Sequence, residues 1–358
     1  MRVIAYYLPQ FHQIKENDEW WGQGFTEWDS VRCAKPLFSG HTQPRVPAQP
    51  LGYYNLMNPE VRLKQAKLAK EAGVEGFCYW HYWFKGKQLL EKPFLEVLET
   101  RQPNFPFCLA WANESWKAKE WSVKSGKNDK ILIEQTYSDE DNEAHFNHLL
   151  SAFNDDRYIK IDNKPLFVIY KPFDIPDVKN LISKWNDLAV KSGFNGIFFI
   201  GHTLYSTQRQ ELLNLGFDAV NVVPLGDCRR NVRLLIKTFP QIIKYAIGKE
   251  PFVYKYKDII DFFCQPYIKQ INVFPTILPN WDHSPRSGIN AMVIRDSNPE
   301  LFAKMVRKVK ETISHCKSND KQVVFLKSWN EWGEGNYMEP DTLYGMGYIN
   351  ALKNVLNE

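Results

Sequence analysis

A (β/α)8 barrel is the fold this chain predicts, and three observations predict it. Eight short apolar segments, rich in β-branched and aromatic residues, alternate along 358 residues with stretches of helical character, the pattern of a parallel sheet crossed over by helices. No G-x-G-x-x-G follows any of these segments, which argues against a doubly wound open sheet. Of the 12 tryptophans, all but Trp185 fall at the end of a predicted strand or in the loop after it. In a barrel those positions converge on the face where active sites are built.

The first strand runs from Arg2 to Leu8 and leads into Pro9 and His12, with Tyr7 near its end. A long loop rich in Gly, Pro and Trp follows and carries Glu27 and Trp28; loops of this length in compact domains are usually functional. Asn58 caps the first barrel helix, with Pro59 at its first position and Gly73 closing it. The second strand, GFCYWHYW, ends in Trp80, His81, Tyr82 and Trp83, and a helix is expected from about Lys87 to Glu99. The third, FPFCLAWANESW, ends in Trp111, Asn113, Glu114 and Trp116, and a capping sequence at Ser138 opens its helix. KPLFVIYK is the fourth, ending in Tyr170 and Lys171, with a helix over Val178 to Lys191. GIFFIGH, the fifth, ends in His202 before a short helix to Leu215, and FDAVNVV, the sixth, ends near Asn221. The seventh lies in NVFPTILPNWDHSPR and ends in Asn280, Trp281 and Asp282, with a helix from about Asn298 to Ser314. Val323 to Leu326 is the eighth, and the final helix spans about Met346 to Leu356. A single domain over 1–358 holds all eight units, with an insertion at about 229–268.

Composition narrows the function. Hydrophobic residues make up 44% and charged residues 24%, a folded globular balance. A formal charge of +4, from 45 basic and 41 acidic residues, is too balanced for nucleic acid to be the main partner. No run reaches the length of a membrane span, the N-terminus lacks a signal-peptide pattern, and Cys78, Cys108 and Cys264 lie inside apolar runs as free thiols would. A cytoplasmic location is expected.

The chemistry is expected after the eighth strand, in VVFLKSWNEWGEGNYMEPD. Glu331 and Glu334 stand three residues apart beside Trp329, Asn330, Trp332 and Tyr337. Paired carboxylates among aromatic rings are the equipment for glycosidic chemistry, one protonating the leaving oxygen and the other managing the anomeric centre. Acidic residues after a strand also serve as helix caps, but two neighbouring indoles are harder to explain that way. The strand-end rings and polar groups would supply stacking surfaces and hydroxyl contacts for an oligosaccharide or polysaccharide. His81 and His202 also fit as core histidines, Glu27 and Glu114 as caps, and Lys171 as the partner of a carboxylate. His12, His81, His202 and His283 lack ligand spacing, so neither a metal nor any other cofactor is expected. Residues 229–257 mix apolar and basic side chains, suiting either an anionic lipid or phosphorylated carrier surface or a solvated helix pair broken at Pro240.

SWNEWGEGNYMEP resembles the catalytic signature of the endo-α-mannosidase clan of glycoside hydrolase family 99. Over nearly the full length, with YYLPQFH, the GFTEW loop, CYWHYWF and KPLFVIY, the chain resembles the WbsX-type branch. That branch is associated with O-antigen and other surface-polysaccharide clusters and often carries a glycosyltransferase label. The resemblance implies a retaining mechanism on α-linked sugars with an axial 2-hydroxyl, such as mannose. In it Glu331 deprotonates that hydroxyl, which attacks the anomeric carbon to give a 1,2-anhydro sugar. Glu334 protonates the leaving oxygen and then activates the acceptor, work that calls for a raised pKa. Gly333 departs from the family pattern, where a bulkier residue is expected. Three readings follow: a hydrolase or transglycosylase on mannose- or rhamnose-like residues, a glycosyltransferase of polysaccharide assembly, or a glycan-binding barrel without catalysis.

Overall fold

The computed structural model describes residues 1–117, 130–314, 318 and 321–358. Trp121, one of the loop tryptophans, lies outside them. Eight parallel strands close into a barrel: β1 Arg2–Tyr7, β2 Val74–Phe84, β3 Phe107–Trp111, β4 Lys164–Ile169, β5 Phe198–Thr203, β6 Ala219–Val222, β7 Val273–Ile277 and β8 Val323–Leu326. Each strand pairs with its sequence neighbours, and β1 pairs with both β2 and β8 to close the ring. The strands are apolar nearly throughout because both of their faces are covered; Val3 to Tyr7 are at most 1% exposed. The barrel interior carries one polar knot. Tyr6 Oη donates to Asn221 Oδ1 at 2.9 Å, and Asn221 Nδ2 donates to Phe274 O and Thr276 Oγ1 at 2.9 and 3.0 Å. A buried amide is tolerated because its donors and acceptor are satisfied.

Eight helices surround the strands: α1 Pro59–Ala72, α2 Lys92–Thr100, α3 Asp139–Asn154, α4 Val178–Lys191, α5 Arg209–Asn214, α6 Tyr256–Phe263, α7 Pro299–Ser314 and α8 Gly347–Asn357. The expected caps form. Asn58 and Ser138 accept hydrogen bonds from the Glu60 and Asp141 amides, and Gly73 ends α1 in the left-handed conformation at φ 84°.

Two elements differ from the expectation. Residues 87–89 do not begin a helix: Lys87–Leu89 fold back on Tyr82–Phe84 as a hairpin around Gly86, and Pro93 sets the later start of α2. Nor do Asn280 to Asp282 continue the seventh strand. Strand β7 ends at Ile277, and Trp281–Asp282 join a separate three-stranded sheet with Met292–Arg295 and Phe252–Lys255. That sheet stands on the C-terminal side of the barrel and builds one wall of the cleft. Between β6 and α6 the chain forms three short helices, Leu225–Arg230, Val232–Lys237 and Phe239–Ala246, the break before the last falling beside Pro240.

Candidate active site

Past β8 the chain turns into a small hairpin that fixes both glutamates. Asn330–Glu331 pairs antiparallel with Asn336–Tyr337, and Trp332–Glu334 makes one 3-10 turn between them. Gly335 ends that turn at φ 52°, where a Cβ would lie 2.9 Å from the Asp282 carbonyl oxygen. The hairpin is bolted to β1: Asn330 Oδ1 accepts from the Leu8 amide at 2.7 Å and its Nδ2 donates to Leu8 O at 3.0 Å. Beneath it Trp332 stacks on Tyr337, ring centroids 3.7 Å apart, and donates to Glu339 Oε2 at 2.7 Å. Glu331 and Glu334 are therefore held on rigid backbone by a packed layer, as a catalytic pair requires.

Arg286 organises the charges. Its Nη1 lies 2.8 Å from Glu334 Oε1 and 3.6 Å from Glu331 Oε1, while its Nε donates to Glu27 Oε1 at 2.8 Å. Those two Nη1 distances are sides of one triangle, so the Oε1 atoms of Glu331 and Glu334 are at most 6.4 Å apart. Glu27 reaches this site only because residue 333 is glycine: a Cβ there would fall 1.6 Å from Glu27 Oε1. The departure at Gly333 thus makes room for a third carboxylate.

The pair ionises unequally. Burial, reinforced by the charge of Glu334, raises Glu331 to about 7. Burial would raise Glu334 too, but the charge of Arg286 and a hydrogen bond from His283 overcome it and hold this carboxyl well below the usual range. The pair therefore takes up a proton as pH falls through about 7, and burial favours Glu331 as the carboxyl that holds it. The resemblance led us to expect the raised pKa on Glu334, and the position of Arg286 reverses that. Opposite the pair, Lys327 Nζ sits within 5.9 Å of the ring centroids of Tyr6, Trp80 and Trp281.

Both glutamates open into a cavity of about 380 Å³ at the C-terminal mouth of the barrel, the size of a small-ligand site. Trp80, Tyr82, Tyr170 and Trp281 supply aromatic walls, and Glu114, Lys327, Arg286 and His283 supply polar groups. A family model described as "Glycosyltransferase WbsX" matches residues 3–352. The chain belongs to this family. WbsX-family membership makes it a member of a carbohydrate-active enzyme family. Two curated relatives, from two strains of Xanthomonas campestris pv. campestris and both named "Uncharacterized protein WxcX", are 32% identical over 361 residues, covering 99% of this chain and 49% of theirs. The chain spans about half the length of these relatives. Two structures of the GH99 endo-alpha-mannosidase from Bacteroides thetaiotaomicron, one in complex with BIS-TRIS-Propane, share its fold at TM-score 0.62. They are 15% and 14% identical, with 99% of this chain and 96% of theirs covered. A third structure, "Glycoside hydrolase-like protein", aligns at TM-score 0.58 and 16% identity over 99% of this chain and 93% of its own.

Other predicted site residues of the WbsX chain stand behind the cleft. Trp111, Trp329 and Trp332 are at most 1% exposed and pack as core. Trp28 is buried and donates to Tyr54 O at 2.6 Å. Tyr7 and Tyr337 are bound through their hydroxyls to Gln65 and Asp341. His81 is stacked on His145 with their Nε2 atoms 2.8 Å apart, and burial drives it down to about 3. His12 is buried and pushed down to about 4. Asn113 clamps the Lys171 backbone, Asn280 accepts from the Tyr337 amide, and Asp282 binds His41 and Gln43. Their shared reason is depth: Tyr7, His81 and Trp111 lie within β1, β2 and β3 and are buried in the barrel wall, and the long loops bury the others in a core of their own. Lys171 does meet a carboxylate, Glu114, at 3.6 Å on the cleft rim, and His202 borders an adjoining recess with Tyr170.

Arg286, His283, Lys327 and Gln10, which lines the cavity and donates to Tyr82 Oη at 3.0 Å, were not singled out as site residues from the sequence. Lys327 immediately follows β8, so the rule that singled out other strand-end residues would have found it. Arg286 sits in the short helix Ser284–Ser287, and nothing in its neighbours signals a partner far along the chain.

Proposed function

We propose that the cleft makes or breaks α-glycosidic bonds with retention of configuration, acting on mannose- or rhamnose-like residues of a polysaccharide. The observation that carries this reading is the pair of carboxyls sharing one guanidinium at the floor of an aromatic-walled cavity. The Oε1 atoms of the pair lie at most 6.4 Å apart, a bound that accommodates the roughly 5–5.5 Å of retaining pairs.

One proton on the pair is what the two-step reaction uses and returns. The 2-hydroxyl gives its proton to ionised Glu331 as O2 bonds to the anomeric carbon. The old glycosidic bond breaks, and the leaving oxygen takes the proton of Glu334. Glu334 then accepts the proton of the incoming hydroxyl as that oxygen attacks the same carbon, and O2, released, recovers its proton from Glu331. Two inversions give retention. In the fold burial favours the proton on Glu331 and Arg286 disfavours it on Glu334, so substrate must shift that balance. A sugar hydroxyl against Glu331 favours the ionised form there, and a leaving oxygen that draws Arg286 from Glu334 favours protonation there.

The family description favours a second reading of the same chemistry, transfer to a sugar acceptor in place of water. A transferase using a nucleotide sugar would need a diphosphate site, and no glycine-rich phosphate motif occurs in the sequence. The test is incubation with a panel of α-mannosyl and α-rhamnosyl oligosaccharides, read by proton NMR. New anomeric signals are expected from wild type and none from Glu334→Gln at an unchanged thermal transition. Silence across the panel, with calorimetric binding of a nucleotide sugar, would replace this reading with the transferase.

A further inference from the structure

Residues 232–247 leave an apolar stripe facing solvent. Val232, Ile236, Phe239, Ile243 and Ile247 are 66%, 69%, 58%, 47% and 58% exposed. Their spacing of four, three, four and four residues runs one face across the two helices Val232–Lys237 and Phe239–Ala246. The opposite side holds the segment to the body, with Leu234 and Thr238 buried. With Tyr245, these residues are six of the thirteen large apolar side chains exposed among the described residues, so the stripe is a concentrated patch and not the usual scatter of single residues.

Charge says what covers it. Between Arg229 and Lys257 there are eight basic residues and one acidic residue, Glu250. The segment carries +7 while the whole chain carries +4, so the remainder is net negative at −3. Arg233, Lys237, Lys244 and Lys249 flank the stripe and are exposed, with Lys237 and Lys244 each beside one carboxylate, Asp258 and Glu250. An apolar stripe edged by cations is the face that seats in the headgroup region of an anionic bilayer, where acyl chains receive the rings and branched side chains while phosphates meet the cations. A second copy of this chain is a poorer occupant, since it would bring the same cations against these.

We propose that the two-helix segment Val232–Ala246 docks the protein on an anionic lipid surface. The position fits the cleft: Arg229, where the basic segment begins, also lines the cavity that holds Glu331 and Glu334. Docking there holds the cavity mouth beside the membrane, where a glycan on a lipid anchor would be met.

The test is co-sedimentation of the whole chain with vesicles of phosphatidylcholine alone or of equal parts phosphatidylcholine and phosphatidylglycerol, at low and high salt. It needs no turnover, so its outcome is separate from that of the glycosidic reading. Wild type is expected to sediment with the mixed vesicles, weakly with the neutral ones, and less at high salt. Ile236→Ser/Phe239→Ser and Arg233→Glu/Lys249→Glu, all at exposed sites, should each lower the bound fraction by about tenfold with the thermal transition unchanged. Absence of wild-type binding, equal binding to both vesicles, or variants that bind as wild type would overturn the proposal. So would a wild-type dimer in light scattering that Ile236→Ser/Phe239→Ser dissolves, since a second copy would then be the occupant.

Discussion

Arg286 sets the behaviour of three carboxylates, and its removal is felt through each. Its pKa is pushed further up by Glu27, Glu334 and Glu331 against the cost of burial, so it stays charged at any pH the protein survives. The Glu331–Glu334 pair keeps its single proton until Glu331 ionises near 7. The kcat/KM is therefore expected to fall as pH rises through about 7, and the apparent pKa belongs to the pair. In Arg286→Met, Glu334 loses the charge that holds it down, and the profile should shift. Gly333→Ala tests the role of Glu27 from the other side. Its methyl would overlap Glu27 Oε1, and separating the Glu27–Arg286 pair should cost about 3–5 kcal/mol in denaturant unfolding along with most of the activity. Two tryptophans separate site from scaffold. Trp281→Ala, at a half-buried ring on the cavity wall, should raise KM with a smaller loss of stability, whereas Trp329→Ala, at a 0% exposed ring, should cost about 3–5 kcal/mol. At this scale the sequence was legible for Glu331 and Glu334, whose spacing and neighbours are local. It was silent on Arg286 and on its pairing with Glu27 across 259 residues, and it could not tell a cleft ring from a core ring, since both are tryptophans at strand ends.

The hairpin after β8 is the element on which the site depends. It is short, so its rigidity comes from clamps, above all the two hydrogen bonds between Asn330 and the Leu8 backbone. Asn330→Ala would leave the Leu8 amide and carbonyl buried without these partners, at a cost of about 1–3 kcal/mol each. Chemical denaturation should show that loss, and activity should fall further than stability because Glu331 follows directly. Strands and helices were legible wherever caps are local: Asn58 and Ser138 both accept the amides expected of them. Expectation failed where tertiary pairing overrode local pattern. Lys87–Leu89 has helix-compatible residues, yet the turn at Gly86 returns it to β2, and Trp281–Asp282 leaves the barrel because Met292–Arg295 offers it a ladder.

For the molecule as a whole, the closed barrel was readable because eight repeats of one pattern leave few alternatives, and the small sheet on its mouth was not, because it is assembled from three separated segments. Burying carboxyls at that mouth has a global consequence. Glu339, under the hairpin, is raised by burial from an ordinary 4.5 to about 7, despite hydrogen bonds from Trp332, Gln65 and Tyr54. The folded chain binds this proton more tightly than the unfolded chain, so the stability it contributes is complete below about 4.5 and lost as pH rises through 7. The loss is about 3 kcal/mol at 1.36 kcal/mol per unit. Unfolding free energies from pH 4 to 8 should fall less steeply in Glu339→Gln than in wild type. The central claim is that Glu331 and Glu334 form a retaining pair, and the stereochemistry of turnover tests it most directly. Proton NMR of the first-formed product from a wild-type α-glycoside digest should show the α anomer before mutarotation, with no product from Glu331→Gln or Glu334→Gln. A β anomer formed first, or undiminished turnover in both variants, would contradict it.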